Sequence, residues 1–204
     1  MRLRGGIKMK VTALIVSIGL MFGTLSVHPV LCEADEVPPA ALAKARGTAD
    51  NLMKDLIGLL FSTLDAEGPS EAVRICAEVA QDRTAGHARE GIYVRRVSQK
   101  VRNHANRPDA IEWQKLEQLA GLHRQKKLPA ELVEVRTNPD GTRQLHYLRP
   151  IVIMERCVAC HGSRDQIEPA VREILAQRYP DDRAIDYGVG DFRGAVSVRV
   201  PLEK

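Results

Sequence analysis

The sequence predicts an α+β protein: helices come first, antiparallel strands dominate the second half, and one domain accounts for the chain after its leader. Two observations carry this. After Pro38-Pro39, the apolar residues Leu42, Ala45, Ala49, Leu52, Leu56, Leu59, Leu60 and Leu64 recur at three- and four-residue steps, the period of a long helix over residues 40–66. Further on, two strand-like runs flank Asn138-Pro139-Asp140-Gly141, a hairpin turn in composition, and the chain closes on "GAVSVRVPL" with Val196, Val198 and Val200 alternating. The 204 residues contain no internal repeat, no low-complexity tract and no linker long enough to separate two domains.

The remaining elements follow in order. Gly68-Pro69 breaks the first helix, and Pro69 suits the opening turn of the next. That second helix, "SEAVRICAEVAQ", places Ala72, Val73, Cys76 and Val79/Ala80 on one inward face. Residues 91–102, "GIYVRRVSQKVR", are expected to be extended. A helix follows with Pro108 in its first turn and a stripe of Trp113, Leu116, Ala120 and His123. The hairpin comes next, then a helix over residues 168–178, then the closing strand, half-buried by its alternation.

The first residues change how charge is read. The whole chain carries +4 at a pI near 9, which alone would point to an acidic partner. Arg2, Arg4, Lys8 and Lys10, however, precede the uncharged run "VTALIVSIGLMFGTLSV", the pattern of a secretory signal. With Glu33 as the single negative charge, residues 1–34 account for +3 and leave about +1 for the rest. A nucleic-acid partner is therefore not expected. "VLCEADE" allows cleavage after Ala34, while Leu31 is too bulky to precede a lipid-modified Cys32. An uncleaved anchor is the competing reading, since residues 11–31 are about long enough to cross a bilayer. Either way residues 35–204 form a single domain outside the cytoplasm, in the periplasm of a Gram-negative source. Loss of Cys32 leaves Cys76, Cys157 and Cys160, an odd number that does not suit a disulfide framework.

The chemistry concentrates in "RPIVIMERCVACHGS". Cys157, Cys160 and His161 form Cys-x-x-Cys-His, in which two thiols can add to the two vinyl groups of a porphyrin while the histidine ligates iron. A zinc site would need a fourth donor, and no second Cys-x-x-Cys or His pair is near. A redox dithiol would want a βαβ context. Export favours haem, because c-type attachment takes place outside the cytoplasm. The second axial ligand is open among Cys76, Met154, His87, His104, His123 and His146. The ordinary alternative for each is a core or surface side chain, with Met154 expected in the core. The cations Arg95, Arg96, Lys100 and Arg102 form either a solvated face or a source of partners for haem propionates. Alternation sends Arg96 and Lys100 to one side and Arg95 to the other.

Four stretches, "AVRICAEVA", "VRRVSQKVRNHANRPDAIE", "HYLRPIVIMERCVACHG" and "YPDDRAIDYGVGDFRGAVSVRVP", resemble the Tll-like family of bacterial and cyanobacterial monohaem c-type proteins. The resemblance covers nearly the whole chain after the signal. It departs at His104, where the family pattern has proline. It implies a PAS-like antiparallel sheet with a long N-terminal helix and additional helices, one covalent haem c, and Cys76 as the iron ligand opposite His161.

No nucleophile–base pair or carboxylate dyad stands out, and two protein ligands would leave iron no open position, so an enzyme is not expected. The function expected is electron transfer, or redox or gas sensing, by a low-potential haem ligated by histidine and cysteine. The alternative is an exported thiol–disulfide or metal-binding protein that uses the motif without haem. The partner would be an exported redox or signalling protein. A sensor of this kind would act through a separate chain, since no kinase or cyclase sequence follows the final strand.

The mature protein should begin near Asp35 and be soluble. N-terminal sequencing of the exported product tests this, and retention of residues 1–34 in a membrane fraction would identify an anchor instead.

Overall fold

The computed structural model describes residues 36–203. These belong to a unit, Asp35–Lys204, distinct from Met1–Ala34. The expected signal, its expected cleavage site and Cys32 lie outside the described residues. Among the described residues no helix is long and apolar enough to cross a membrane.

Helix α1 (Pro39–Gly86) starts with proline in its first turn, where a missing N–H costs nothing. Ala41, Ala45, Ala49, Leu52 and Leu56 are buried, and the alanines let the helix lie close on the sheet. The expected break falls at Gly68, whose φ of 83° and ψ of 179° are not helical. Pro69 restarts the helix, so α1 consists of two limbs across a kink. The second limb buries Ala72, Val73, Ala80 and Thr84, and the Thr84 hydroxyl donates to the Ala80 carbonyl at 2.7 Å.

Strands β1 (Tyr93–Val97), β2 (Leu132–Thr137), β3 (Arg143–Val152) and β4 (Phe192–Leu202) form one antiparallel sheet in the order β1-β4-β3-β2. The β2–β3 connection is the predicted turn, closed by the Gly141 amide on the Asn138 carbonyl at 2.9 Å, with Gly141 at φ 81°. Strand β1 is shorter than expected. Ser98 leaves the ladder and its hydroxyl donates to the Arg193 carbonyl at 2.8 Å. Gly194 (φ 154°) passes so close to β1 that a Cβ would collide with the Val97 carbonyl oxygen.

The half-buried expectation for the last strand is overturned. Ala195, Val196, Ser197 and Val198 are all fully buried, because β4 is central and both faces are covered. Val196, Val198 and Val200 join Val94, Leu145 and Tyr147 under α1. Ala195, Val97 and Leu148 face Leu116 and Leu119 of α2 (Ala110–Arg124).

Helix α2 also differs in phase from its predicted stripe. Asp109 and Glu112 form a reciprocal capping box, so the helix begins at Ala110 and Pro108 stays outside it. The buried residues are Glu112, Leu116 and Leu119, while Trp113 is 43% exposed. Glu112 replaces an apolar residue there because the sheet offers it two cations, Arg95 and Arg199, the latter also bound to Asp109. Beside this cluster His146 is fully buried, its Nε2 3.0 Å from the Ser197 hydroxyl. Burial lowers the His146 pKa to about 4, with Arg199 pushing the same way against Glu112, Asp109 and Glu134.

His146 makes stability depend on pH. Between about 6.5 and about 4 the unfolded chain binds a proton that the folded chain refuses, so stability falls as pH drops through that window, by about 3 kcal/mol in all. Denaturant unfolding at pH 7 and pH 4.5 should show this dependence, reduced in His146→Gln. An equal slope in that variant would assign the effect elsewhere.

Candidate functional site

The motif lies just past the end of the sheet. After β3 the chain makes a 3-10 turn at Glu155–Cys157 and runs directly into the short helix α3 (Val158–His161). The Cys157 amide donates to the Met154 carbonyl at 2.9 Å, and the Gly162 amide to the Val158 carbonyl at 2.9 Å. Gly162 is required there: a Cβ would lie 2.7 Å from the Val158 oxygen and 2.8 Å from Gln166 Oε1. The two motif thiols face different apolar groups. Cys157 packs with Ile153, Ala184 and Tyr187, and Cys160 with Val73, Ile167, Val171, Ile174 and Leu175. The last three of these belong to α4 (Pro169–Arg178).

His161 is held by the segment before β4. Its Nδ1 lies 2.6 Å from the Ala184 carbonyl oxygen, which can only accept, so Nδ1 carries the proton and Nε2 a lone pair. Burial, followed by the charges of Arg102 and Arg193, holds the imidazole pKa well below its ordinary value, so the ring is neutral at pH 7. The His161 and Gly162 carbonyls accept from the Tyr187 amide at 3.0 Å and the Asp186 amide at 2.9 Å. Tyr187 also meets the imidazole edge-on, with ring centroids 6.2 Å apart. Arg102 locks this arrangement. Its Nε donates to Asp182 at 2.9 Å, and its Nη2 to the carbonyls of Cys160 at 2.6 Å and Ala184 at 3.2 Å. Asp182 in turn accepts from the Ala184 amide at 2.8 Å.

Cys76 reaches the same place from the second limb of α1, which packs on both α3 and α4. It is half-buried rather than fully inward. Burial raises its thiol pKa, against the nearby charges of Arg96 and Arg102. The Cys160 thiol is pushed up to about 11, chiefly by burial, with Arg102 opposing and Cys76 and Cys157 adding to the rise. Cys76, Cys157, Cys160 and His161 thus gather at one site, and all three of these cysteines are free thiols.

The other candidate ligands are engaged elsewhere. His87 lies 3.4 Å from Asp55, His104 3.1 Å from Asp181, and His123 2.9 Å from the Gly190 carbonyl. His146 is on the α2 side of the sheet. Met154 is 40% exposed, not in the core as expected, because it precedes the 3-10 turn at the surface. Among the described residues no cluster of three or more His, Cys, Asp or Glu is arranged to hold a metal ion.

Within β1 the basic run divides as alternation requires, while Lys100 lies past the end of that strand. Arg95 binds Glu112 on the α2 face, while Arg96 lies on the α1 face within reach of Cys76. Lys100 donates to the Ile185 carbonyl and sits over the Tyr187 ring. The positioning roles of Asp182, Ala184, Tyr187 and Arg193 were not anticipated residue by residue. The signal that covers them is the fourth stretch of resemblance, "YPDDRAIDYGVGDFRGAVSVRVP".

Comparison with known proteins agrees with that resemblance. No curated protein matches the chain. Among solved structures the chain is similar to the cyanobacterial heme-protein Tll0287, at 28% identity and a TM-score of 0.62, over 82% of this chain and 99% of that one. The profile of the Tll0287-like family matches residues 28–201, which include the two free motif cysteines, His161, Cys76 and all of the sheet but the last residue of β4, and the chain therefore belongs to the Tll0287-like family.

Proposed function

We propose that this chain is an exported monohaem c-type protein with a redox role, as a one-electron carrier or a redox or gas sensor, and not an enzyme. The observation that carries the reading is the hydrogen bond from His161 Nδ1 to Ala184, which leaves Nε2 as a free, neutral donor beside two free thiols at c-type spacing. Family membership and the heme-protein among its relatives support the same reading.

The residues present fit a haem. Cys157 and Cys160 would form the two thioether links, and His161 and Cys76 would hold its iron. When bound, the haem supplies an iron centre that changes oxidation state by one electron. The chain's part is to hold that centre. The Arg102–Asp182 pair fixes the Ala184 carbonyl, which fixes the His161 tautomer and strengthens the ring as a donor. The α1–α3–α4 apolar cluster shields the Cys160 side from water. A thiolate from Cys76 would favour the oxidised state and a low potential, whereas a methionine would raise it. With His161 and Cys76 both holding the iron, electron transfer would need no further donor, and sensing would work through displacement of the more weakly held of the two.

Protein made in an exporting host with cytochrome c maturation should gain the mass of one haem and keep it through acid–acetone extraction. Haem that extracts intact, with Cys157 and Cys160 both titrating as free thiols, would defeat the proposal.

Cys76→Ala should retain that covalent mass yet alter the ferric low-spin electron paramagnetic resonance signal and raise the reduction potential. An unchanged signal would clear Cys76, and Met154→Leu would be the next variant to make.

A further inference from the structure

Arg96 stands apart from the other cations around the motif. Arg102 is bound to Asp182 and to two carbonyls, Arg193 donates to Ser98 Oγ and the Lys100 carbonyl, and Lys100 donates to the Ile185 carbonyl. Arg96 makes no hydrogen bond or ion pair among the described residues, and its Nε is buried without an acceptor. A buried donor left unpaired on a charged group is costly, and natural proteins rarely keep one without a reason. On β1 it shares the α1 face with Val94, and the acidic side chains that favour its charge are Cys76 and Tyr179. Neither is a carboxylate. A phenol stays neutral near pH 7, whereas a thiol that ligates a metal is deprotonated outright. The one anion the loaded site would bring within reach of this guanidinium from the protein itself is therefore the sulfur of Cys76.

We propose that Arg96 is the buried counter-cation of the Cys76 thiolate in the haem-loaded protein, a positioning residue that acts on the iron through that sulfur. This rests on the haem reading above. The guanidinium would hold the sulfur in place and draw on its charge, so that the thiolate donates less to iron than an unpaired one would. Arg96 would thus set the potential higher than Cys76 alone dictates. In the haem-free chain the same residue has nothing to pair with and is a burden on the fold.

The test uses the full chain, made with and without the maturation apparatus, as Arg96→Met and Arg96→Lys, each also in a Cys76→Ser background. In loaded protein, Arg96→Met should lower the reduction potential and shift the ferric resonance signal. Arg96→Lys should stay near wild type, and the Arg96→Met shift should vanish in Cys76→Ser. In haem-free protein, Arg96→Met should raise the thermal midpoint by relieving an unpaired buried charge, a gain that the loaded form should not show. An unchanged potential, a shift that persists undiminished in Cys76→Ser, or a lower midpoint in the haem-free chain would each overturn the pairing. The two readings fail separately: wild-type protein that gains no haem mass sinks the haem reading itself, while haem mass with an indifferent Arg96 sinks only this one.

Discussion

The site depends on one hydrogen bond, from His161 Nδ1 to the carbonyl of Ala184. A short helix such as α3 cannot by itself decide which imidazole nitrogen carries the proton or where the ring points. The carbonyl does both, and it is oriented in turn. Asp182 holds the Ala184 amide, Arg102 holds Asp182, and the same guanidinium reaches the Cys160 carbonyl on the other side. One arginine therefore ties the motif to the segment that positions it. The Arg102 and Asp182 side chains are only 13% and 10% exposed, so this pair is not the weakly held ion pair of an open surface. Removing either partner would strand a largely buried charge, which makes the pair a constraint on geometry more than a source of net stability.

The sheet brings the two sides of that constraint together. β3 leads into the motif and β4 follows the 182–191 segment, and the two are paired along most of their length. Beyond the irregularity at Ile151/Val152 the pairing continues as single bonds: the Ile153 amide on the Asp191 carbonyl at 2.9 Å, and the Gly190 amide on the Ile153 carbonyl at 2.8 Å. The motif and its clamp are thus adjacent because they grow from neighbouring central strands. Gly194 lets β1 close against β4 at the same end, which brings Arg96 and Arg102 to the site from the third side.

Features set by local chemistry could be read from the sequence. The Gly68-Pro69 break, the Asn138–Gly141 turn and the Cys-x-x-Cys-His spacing each depend on a few adjacent residues, and each lies where it was expected. Features set by what covers an element could not. Alternation in β4 suggested one wet face, but Ser197 is as buried as Val196 and Val198, because α2 lies across the side that looks polar. The helical stripe of α2 was misplaced for a related reason. Glu112 points inward only because Arg95 and Arg199 await it from other strands, and no periodicity within the helix could show that. At the candidate site, spacing singled out the three motif residues, helical phase made Cys76 one candidate among several and resemblance to a family singled it out, and the clamp entered only as part of a resembling stretch.

The two faces of the sheet treat buried charge in opposite ways. Under α2, Arg95, Arg199, Glu112 and Asp109 form a cluster in which each cation meets a carboxylate and both carboxylates also form the capping box of a helix. In that network every charge meets an opposite charge within the chain, although Arg199 Nε itself is buried without an acceptor, and the network serves the fold. Under the second limb of α1, Arg96 is half-buried with its Nε fully enclosed, a thiol and a phenol are its acidic neighbours, and no carboxylate answers it. Agreement between local choices and the whole fold is the rule for a foldable sequence, and departures from it concentrate where function demands them. One strand, β1, carries both cases on successive residues, Arg95 and Arg96, pointing to opposite faces. The contrast leaves the unanswered cation on the α1 side, beside Cys76, the ligand proposed for iron, while its neighbour Arg95 serves packing on the other face.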